Sequence, residues 1–184
     1  MEDSALPTSS VSSGAGFWIR AGARMIDTMY GLALGFFVGV LAGICLVILD
    51  RAGWIAPGWQ GRIKGLNFPG FGLSLLGGIL YHSLTEGLYG ASLGKLVCGL
   101  RVVTEAGQPI TVGKALLRSL AYLFDALFFG LVAYSSMKDS DLNQRYGDKW
   151  AHTVVIRSQD LPSGSRKGAE IFVLAFLMGS VCWA

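Results

Sequence analysis

Charge is scarce in this chain. Lysine, arginine, aspartate and glutamate make up 15% of its 184 residues, against about a quarter in an ordinary soluble domain, while 52% are hydrophobic. That balance excludes a polar, self-contained globule and points to lipid. The net charge of +3 is spread through loops, which suits a membrane surface and not nucleic acid. Cysteine is rare: Cys45, Cys98 and Cys182 lie far apart with no His or Cys beside them, so neither a metal site nor a disulfide framework is indicated. The histidines, His82 and His152, are remote from each other and too few for a zinc site. Residues 1–16 start Met-Glu-Asp, are rich in serine, and lack the basic start and apolar core of a cleavable signal. No serine sits in a nucleophile elbow and no histidine is placed to serve one, so neither an enzyme activity nor a cofactor is expected. Gly90-Ala-Ser-Leu-Gly94-Lys95-Leu96 fails as a phosphate loop, being one residue short between its glycines and carrying Leu where Ser or Thr follows the lysine.

What is present is a series of apolar segments with charges set inside them. The first helix is expected from about Phe17 to Leu49, apolar from Met29 onward. About 20 apolar residues span a bilayer, so this is a transmembrane helix. Arg20 and Asp27 lie seven residues apart near its start, and Gly31, Gly35, Gly39 and Gly43 continue the same side. A charge at membrane depth costs roughly 2.5–3.5 kcal/mol on insertion scales, so Asp27 is rarely idle there. Two readings stay open for it. One is a protonatable or cation-binding carboxylate; the other is a structural ion pair, with Arg118 or Arg24 the expected partner. The glycine series is a repeated small-xxx-small pattern that lets backbones approach in lipid. Its favoured partner is the second helix with its own Gly77-Gly78, and a further protein chain is the alternative.

The segment Asp50–Asn67, with Trp54 and Trp59, reads as an interfacial loop. A second apolar helix is expected from about Phe68 to Leu88, with His82 and Glu86 one turn apart at its end. A proton relay with Asp27 is one role for that pair, and an interfacial hydrogen bond is the favoured one. LRVVTEAGQPITV then places two β-prone stretches around a Gly-Gln-Pro turn. A third apolar segment, Ala115–Met137, carries Arg118 and Asp125 at the Arg20/Asp27 spacing, a faint hint of duplication. HTVVIR (His152–Arg157) is a further β-like run, and the last segment, Ile171–Ala184, is apolar but short for a span.

The two basic loops, Gly90–Lys114 and Lys138–Lys167, both prefer the cytoplasm by the positive-inside rule. Four full spans would separate them. We favour a third segment that dips in and returns, bent near Gly130, or lies along the interface. Leu100–Thr104 and Thr153–Arg157 then share a side and form a small cytoplasmic β-like element. The expected fold class is therefore an all-α integral membrane bundle of three to four segments. The expected divisions are a disordered cytoplasmic tail (1–15), a membrane domain (16–157), a linker (158–167) and a terminal apolar helix (168–184). Arg20, Asp27, Glu86, Arg118, Asp125 and Asp148 are expected to converge in part, because buried membrane charges seek partners.

Three blocks carry a family resemblance. AGFWIRAGARMID resembles the opening motif of the RDD family of bacterial membrane proteins, placing the family's arginine on Arg20 and its first aspartate on Asp27. YGASLGKLVCGLRVVTEAGQPITVGKALLR is similar to the family's central block at Gly94, Lys95, Gly99, Arg101, Val102, Gly107 and Arg118. YGDKWAHTVVI resembles the closing motif, with the second aspartate on Asp148 and Gly147 where the family usually has histidine. The resemblance covers about Gly16–Arg157. It implies a multi-pass protein of the bacterial inner membrane, and the positive-inside reading above puts the N-terminus in the cytoplasm. It also implies transport of a small solute or ion, with cation/proton exchange proposed for some members. Such a small chain would transport as an oligomer. The alternative is a non-catalytic structural or assembly subunit of a larger membrane complex.

Overall fold

Thirty-five residues with neither proline nor an internal polar run form helix α1, Phe17–Arg51. The computed structural model describes residues 11, 13–55, 67–125, 131–161 and 167–183, the side chains of residues 67–71 and 125 excepted. The buried residues of α1 are Arg20, Ala23 and Asp27, spaced so that they line one face of its first three turns. Beyond them the helix is apolar and bare: none of its most apolar 18-residue window is buried. It is the one helix among the described residues that is long and apolar enough to cross a membrane.

Helix α2 (Asn67–Tyr89) follows, then a short α3 (Leu93–Val97), strand β1 (Leu100–Thr104), α4 (Val112–Asp125), α5 (Leu131–Lys138), α6 (Tyr146–Trp150), strand β2 (Thr153–Arg157), a single 3₁₀ turn and α7 (Ala169–Trp183). The protein is thus mostly helical, with a small two-stranded sheet. The strands pair antiparallel, Leu100 opposite Arg157 and Thr104 opposite Thr153, as their β-branched composition and shared side require. Gly107, with φ +74°, turns the chain after β1, where its N–H donates to the Thr104 carbonyl at 2.8 Å. Leu100, Val102 and Val155 pack with Ala15, Ala23, Ile110 and Ala115 on one side of the sheet. Val103, Val154 and Ile156 pack with Val11, Leu142 and Leu161 on the other.

Two features depart from expectation. The tail was expected to lack structure through residue 15, yet Ala15 is buried, its N–H donates to the Val155 carbonyl at 2.7 Å, and the Gly14 carbonyl accepts from Asn143 Nδ2 at 3.0 Å. The approach to α1 is therefore tied to the sheet. The expected packing of the α1 glycine series on α2 is also not formed. Helix α2 packs between α7 and α4, while α1 packs on α3. Gly77 and Gly78 accordingly face the terminal helix at Cys182 and Trp183, Gly31 faces the Trp183 ring, and Gly35, Gly39 and Gly43 face open space. Aromatic rings explain why α7 wins this contact. Tyr81 lies 4.9 Å from Trp183, and Tyr89 4.9 Å from Phe172, between ring centroids.

Within the third apolar segment the described residues form α4 and α5, and the expected bend near Gly130 lies outside the described residues. Fourteen residues of α4 rise about 21 Å, short of the roughly 30 Å hydrocarbon core. It is built inside out: Ala115, Arg118 and Ala121 are buried, and Leu116, Leu120, Leu123 and Phe124 are exposed. A helix that hides its arginine and shows its leucines is suited to lipid.

Candidate functional site

The first turns of α1, the last turns of α2, and α3, α4 and α6 bring their charged side chains to one place. Each arrives for a local reason. Asp148 is the third residue of α6, where its carboxylate accepts the Arg145 backbone N–H at 3.2 Å, a capping arrangement favoured at a helix start. From there it meets Arg20 Nη1 at 2.6 Å and Arg118 Nη2 at 3.1 Å, with Arg145 Nε at 3.7 Å. Arg20 also donates through Nε to the Ala15 carbonyl at 2.9 Å. Arg118 Nη1 donates to Thr153 Oγ1 at 2.7 Å. Opening motif, central block and closing motif are therefore joined through a single buried carboxylate.

Glu86 is the second node. It pairs with Lys95, with Arg118 Nε at 3.5 Å and with His82 Nδ1 at 3.6 Å. The contacts of Arg118 Nε and Nη2 are close enough for ion pairing but lack hydrogen-bond alignment, so at those two atoms charge and not direction makes the contact. Lys95, in the first of the two basic loops, turns inward to Glu86, three residues after Ser92.

Among the described residues Asp27 pairs with no arginine. Its carboxylate accepts from Ser92 Oγ at 2.6 Å, from the Gly94 N–H at 2.7 Å and from the Tyr81 hydroxyl at 3.5 Å. Ser92 is the residue before α3, and Gly94 is the second residue in that helix. Asp27 thus takes the place of a capping side chain supplied from another helix. The expected partners Arg118 and Arg24 are engaged elsewhere: Arg24 stacks over the Tyr122 ring at 3.9 Å. Gly94 lets the approach happen, because a Cβ there would overlap the Ala23 carbonyl. Asp125 ends α4 and its side chain lies outside the described residues. So Arg20, Glu86, Arg118 and Asp148 lie together, with His82 beside them and Asp27 on the rim. Lys95, Arg145, Tyr81 and Ser92 were missed.

Two groups of this node outside the long helices have shifted ionisation. Burial alone would raise the Asp148 carboxyl, but Arg118, Arg145 and Arg20 outweigh it and hold the group well below the usual carboxylate range. Burial lowers Lys95 to about 8, Glu86 opposing and Arg118 and Arg145 assisting. At neutral pH Lys95 still carries its proton.

The cleft at this node has a free interior of about 30 Å³, enough for one or two waters or a small ion. Around it, among the described residues, Arg20, Arg24, Lys95, Arg118 and Arg145 outnumber Asp27, Glu86 and Asp148. No group of three or more His, Cys, Asp or Glu able to hold a metal ion occurs among the described residues.

A long bare helix, a small sheet and a buried arginine–carboxylate node define a helical protein of membrane type. Residues 14–152 match the RDD family, and the chain belongs to it. It is 32% identical over 127 residues to "Uncharacterized protein YxaI" of Bacillus subtilis (strain 168), covering 62% of this chain and 80% of that relative. No solved structure matches.

Proposed function

We propose that the chain is a multi-pass membrane protein that passes a small anionic solute, and that the cleft around Glu86 and Asp148 is where the solute sits. Helices α1 and α2 are the crossings. At 23 residues α2 rises about 35 Å, long enough for a span, although among the described helices only α1 is also apolar enough. Pairing of β1 with β2 supports one shared side for both basic loops, which the positive-inside rule assigns to the cytoplasm. The start of α1 and the end of α2 lie on that side, so the N-terminus is cytoplasmic. Helix α4 lies at the interface and returns through α5.

What carries the reading is the charge balance. Carboxylates that move protons or cations need a vacant side, and here Asp148 and Glu86 are each enclosed by basic groups while Asp27 is spent on α3. Among the described residues the basic groups outnumber the carboxylates, so an anion is the fitting guest. The earlier expectation of cation/proton exchange fits these pairings less well. The test is flux through liposomes carrying the pure protein. Chloride or phosphate movement that Lys95→Gln reduces is expected. Sodium or proton movement that depends on Asp27, with no anion movement, would overturn the proposal.

A second reading is supported by α1. Its apolar span is uncovered, and Gly35, Gly39 and Gly43 present a small-residue stripe with open space before it. A further helix, from a second copy or another membrane subunit, fits that stripe. Stoichiometric copurification with an unrelated subunit, together with absent flux, would favour an assembly role.

A further inference from the structure

Beside the charged cleft lies a second, larger space of about 390 Å³ between α1, α2 and α4, within the range of ligand sites. Its walls are Gly31 and Leu32 on α1, Leu75 and Ile79 on α2, and Leu123 on α4, with Trp183 beside them. Arg24, His82, Ser119 and Tyr122 border both spaces, so the two meet there.

The polarity along the two long helices changes in register. On α1, Arg24 stands at the junction and Leu32 eight residues deeper, about 12 Å by helix rise. On α2, which runs the other way, His82 stands at the junction and Ser74 and Leu75 lie a similar distance in. Both helices therefore place an ionisable group at one level and a leucine wall below it, with the small hydroxyls of Thr28 and Ser74 beside it. That level is also where α1 enters its bare apolar stretch. A guest matched to this site has a charged end and an apolar tail.

Arg24 fixes the sign of the charge. It is half-buried, stacks on Tyr122, and has no carboxylate partner among the described residues. A stacked guanidinium keeps its N–H edge for an acceptor, and its flat fork matches phosphate. The excess positive charge of the adjoining cleft adds to the attraction. A helix, about 10 Å across, would not fit so small a space, whereas a flexible methylene chain would.

We infer that this chamber holds an acyl chain of an acidic phospholipid whose phosphate is bound by Arg24 at the junction with the charged cleft. The inference rests on the positive charge balance of the proposed anion site. It makes the protein's form in the membrane dependent on lipid composition.

The test is thermal unfolding of the full chain in detergent, titrated with phosphatidylglycerol, with phosphatidylcholine of the same chains, and with inorganic phosphate. Phosphatidylglycerol alone is expected to raise the midpoint. Arg24→Gln should raise the half-saturating fraction of that lipid about tenfold, the scale of one charge-assisted hydrogen bond. Gly78→Leu, which grows into the chamber beside Trp183, should weaken it similarly, with Leu75→Phe the substitute if Gly78→Leu loses cooperative unfolding. Equal effects of the two lipids, an equal effect of phosphate, or unchanged lipid response in the Arg24 and chamber-filling variants would each overturn the inference. Anion flux without selective lipid binding defeats only this inference; selective lipid binding without anion flux defeats only the proposed function.

Discussion

Arg20 Nη1 on α1 and Asp148 Oδ2 on α6 meet at 2.6 Å across 128 residues of chain. Both side chains are almost wholly buried, so the pair closes the site and also removes two charges from lipid and water. Taking away one partner strands the other. Asp148→Asn keeps the shape of the side chain but leaves Arg20 and Arg118 without their shared counter-charge. It should cost about 3–5 kcal/mol in a mild-detergent unfolding assay. A loss under about 1 kcal/mol would show that the pair does not hold the fold.

The same carboxylate makes the protein sensitive to acid. Its folded-state ionisation lies below the unfolded value, so it contributes stability above about pH 4 that is lost as the pH falls further. Unfolding midpoints measured from pH 6 downward should drop in the native chain, and the slope should flatten in Asp148→Asn. An identical slope in both would assign the acid sensitivity to other groups.

Asp27 should behave differently, because its partners are neutral donors. Asp27→Asn retains one carbonyl oxygen for the Gly94 N–H and an amide that can donate to Ser92 Oγ, so a loss of about 1 kcal/mol is expected. Asp27→Ala leaves buried donors unsatisfied and should lose about 1–3 kcal/mol more. The charge reversal Arg20→Asp with Asp27→Arg should rescue nothing, since the two residues are not partners. Recovery of stability in that double variant would contradict the geometry described here.

Much of this arrangement is legible in the sequence, and the parts that are not have a common physical cause. The strands Leu100–Thr104 and Thr153–Arg157 follow from β-branched runs and from two basic loops that must share a side. The starts of the long helices follow from apolar length. Convergence of Arg20, Glu86, Arg118 and Asp148 follows from the cost of unpaired charge in lipid. Which carboxylate meets which cation does not follow, because it depends on where short α3 and α6 present their N-terminal N–H groups. Asp27 and Asp148 each serve such a helix start, and a five-residue helix has no periodicity to announce it. Packing of Gly77 and Gly78 on α7 was hidden for a related reason: a glycine pair marks a close approach and not the partner that makes it.

Lys95 gives the cleft a pH response above neutrality. Burial beside Glu86, Arg118 and Arg145 sets its folded value at about 8, while the unfolded chain keeps its proton to about 10.4. Between those values the folded protein holds fewer protons than the unfolded, so this group alone makes stability rise with pH there. The cleft, however, loses one positive charge as pH passes 8. Anion flux in liposomes should therefore fall with a midpoint near pH 8, and Lys95→Arg should remove the fall because guanidinium keeps its charge. Flux that is flat from pH 7 to 9 in the native chain would separate Lys95 from the guest.

The glycines of α1 and α2 separate internal packing from an external partner. An added Cβ at Gly77 would lie 2.6 Å from the Cys182 carbonyl oxygen and 2.8 Å from the Trp183 Cα, backbone that cannot rotate away. Gly77→Ala must push α7 off α2 and should cost about 1–3 kcal/mol by overpacking, besides disturbing the Tyr81–Trp183 contact. An added Cβ at Gly39 meets nothing within 4 Å. Gly39→Ala removes the flexible residue from an open helix face and should raise the stability of the isolated chain by up to about 1 kcal/mol. Gly39→Leu should likewise leave the isolated fold intact, yet it fills the stripe that a docking helix would need. Crosslinking or size measurement in lipid nanodiscs then decides between the two readings of α1. Association lost in Gly39→Leu but kept in Leu41→Ala, on another side of the helix, marks the stripe as an interface. Association unchanged in both leaves α1 facing lipid alone.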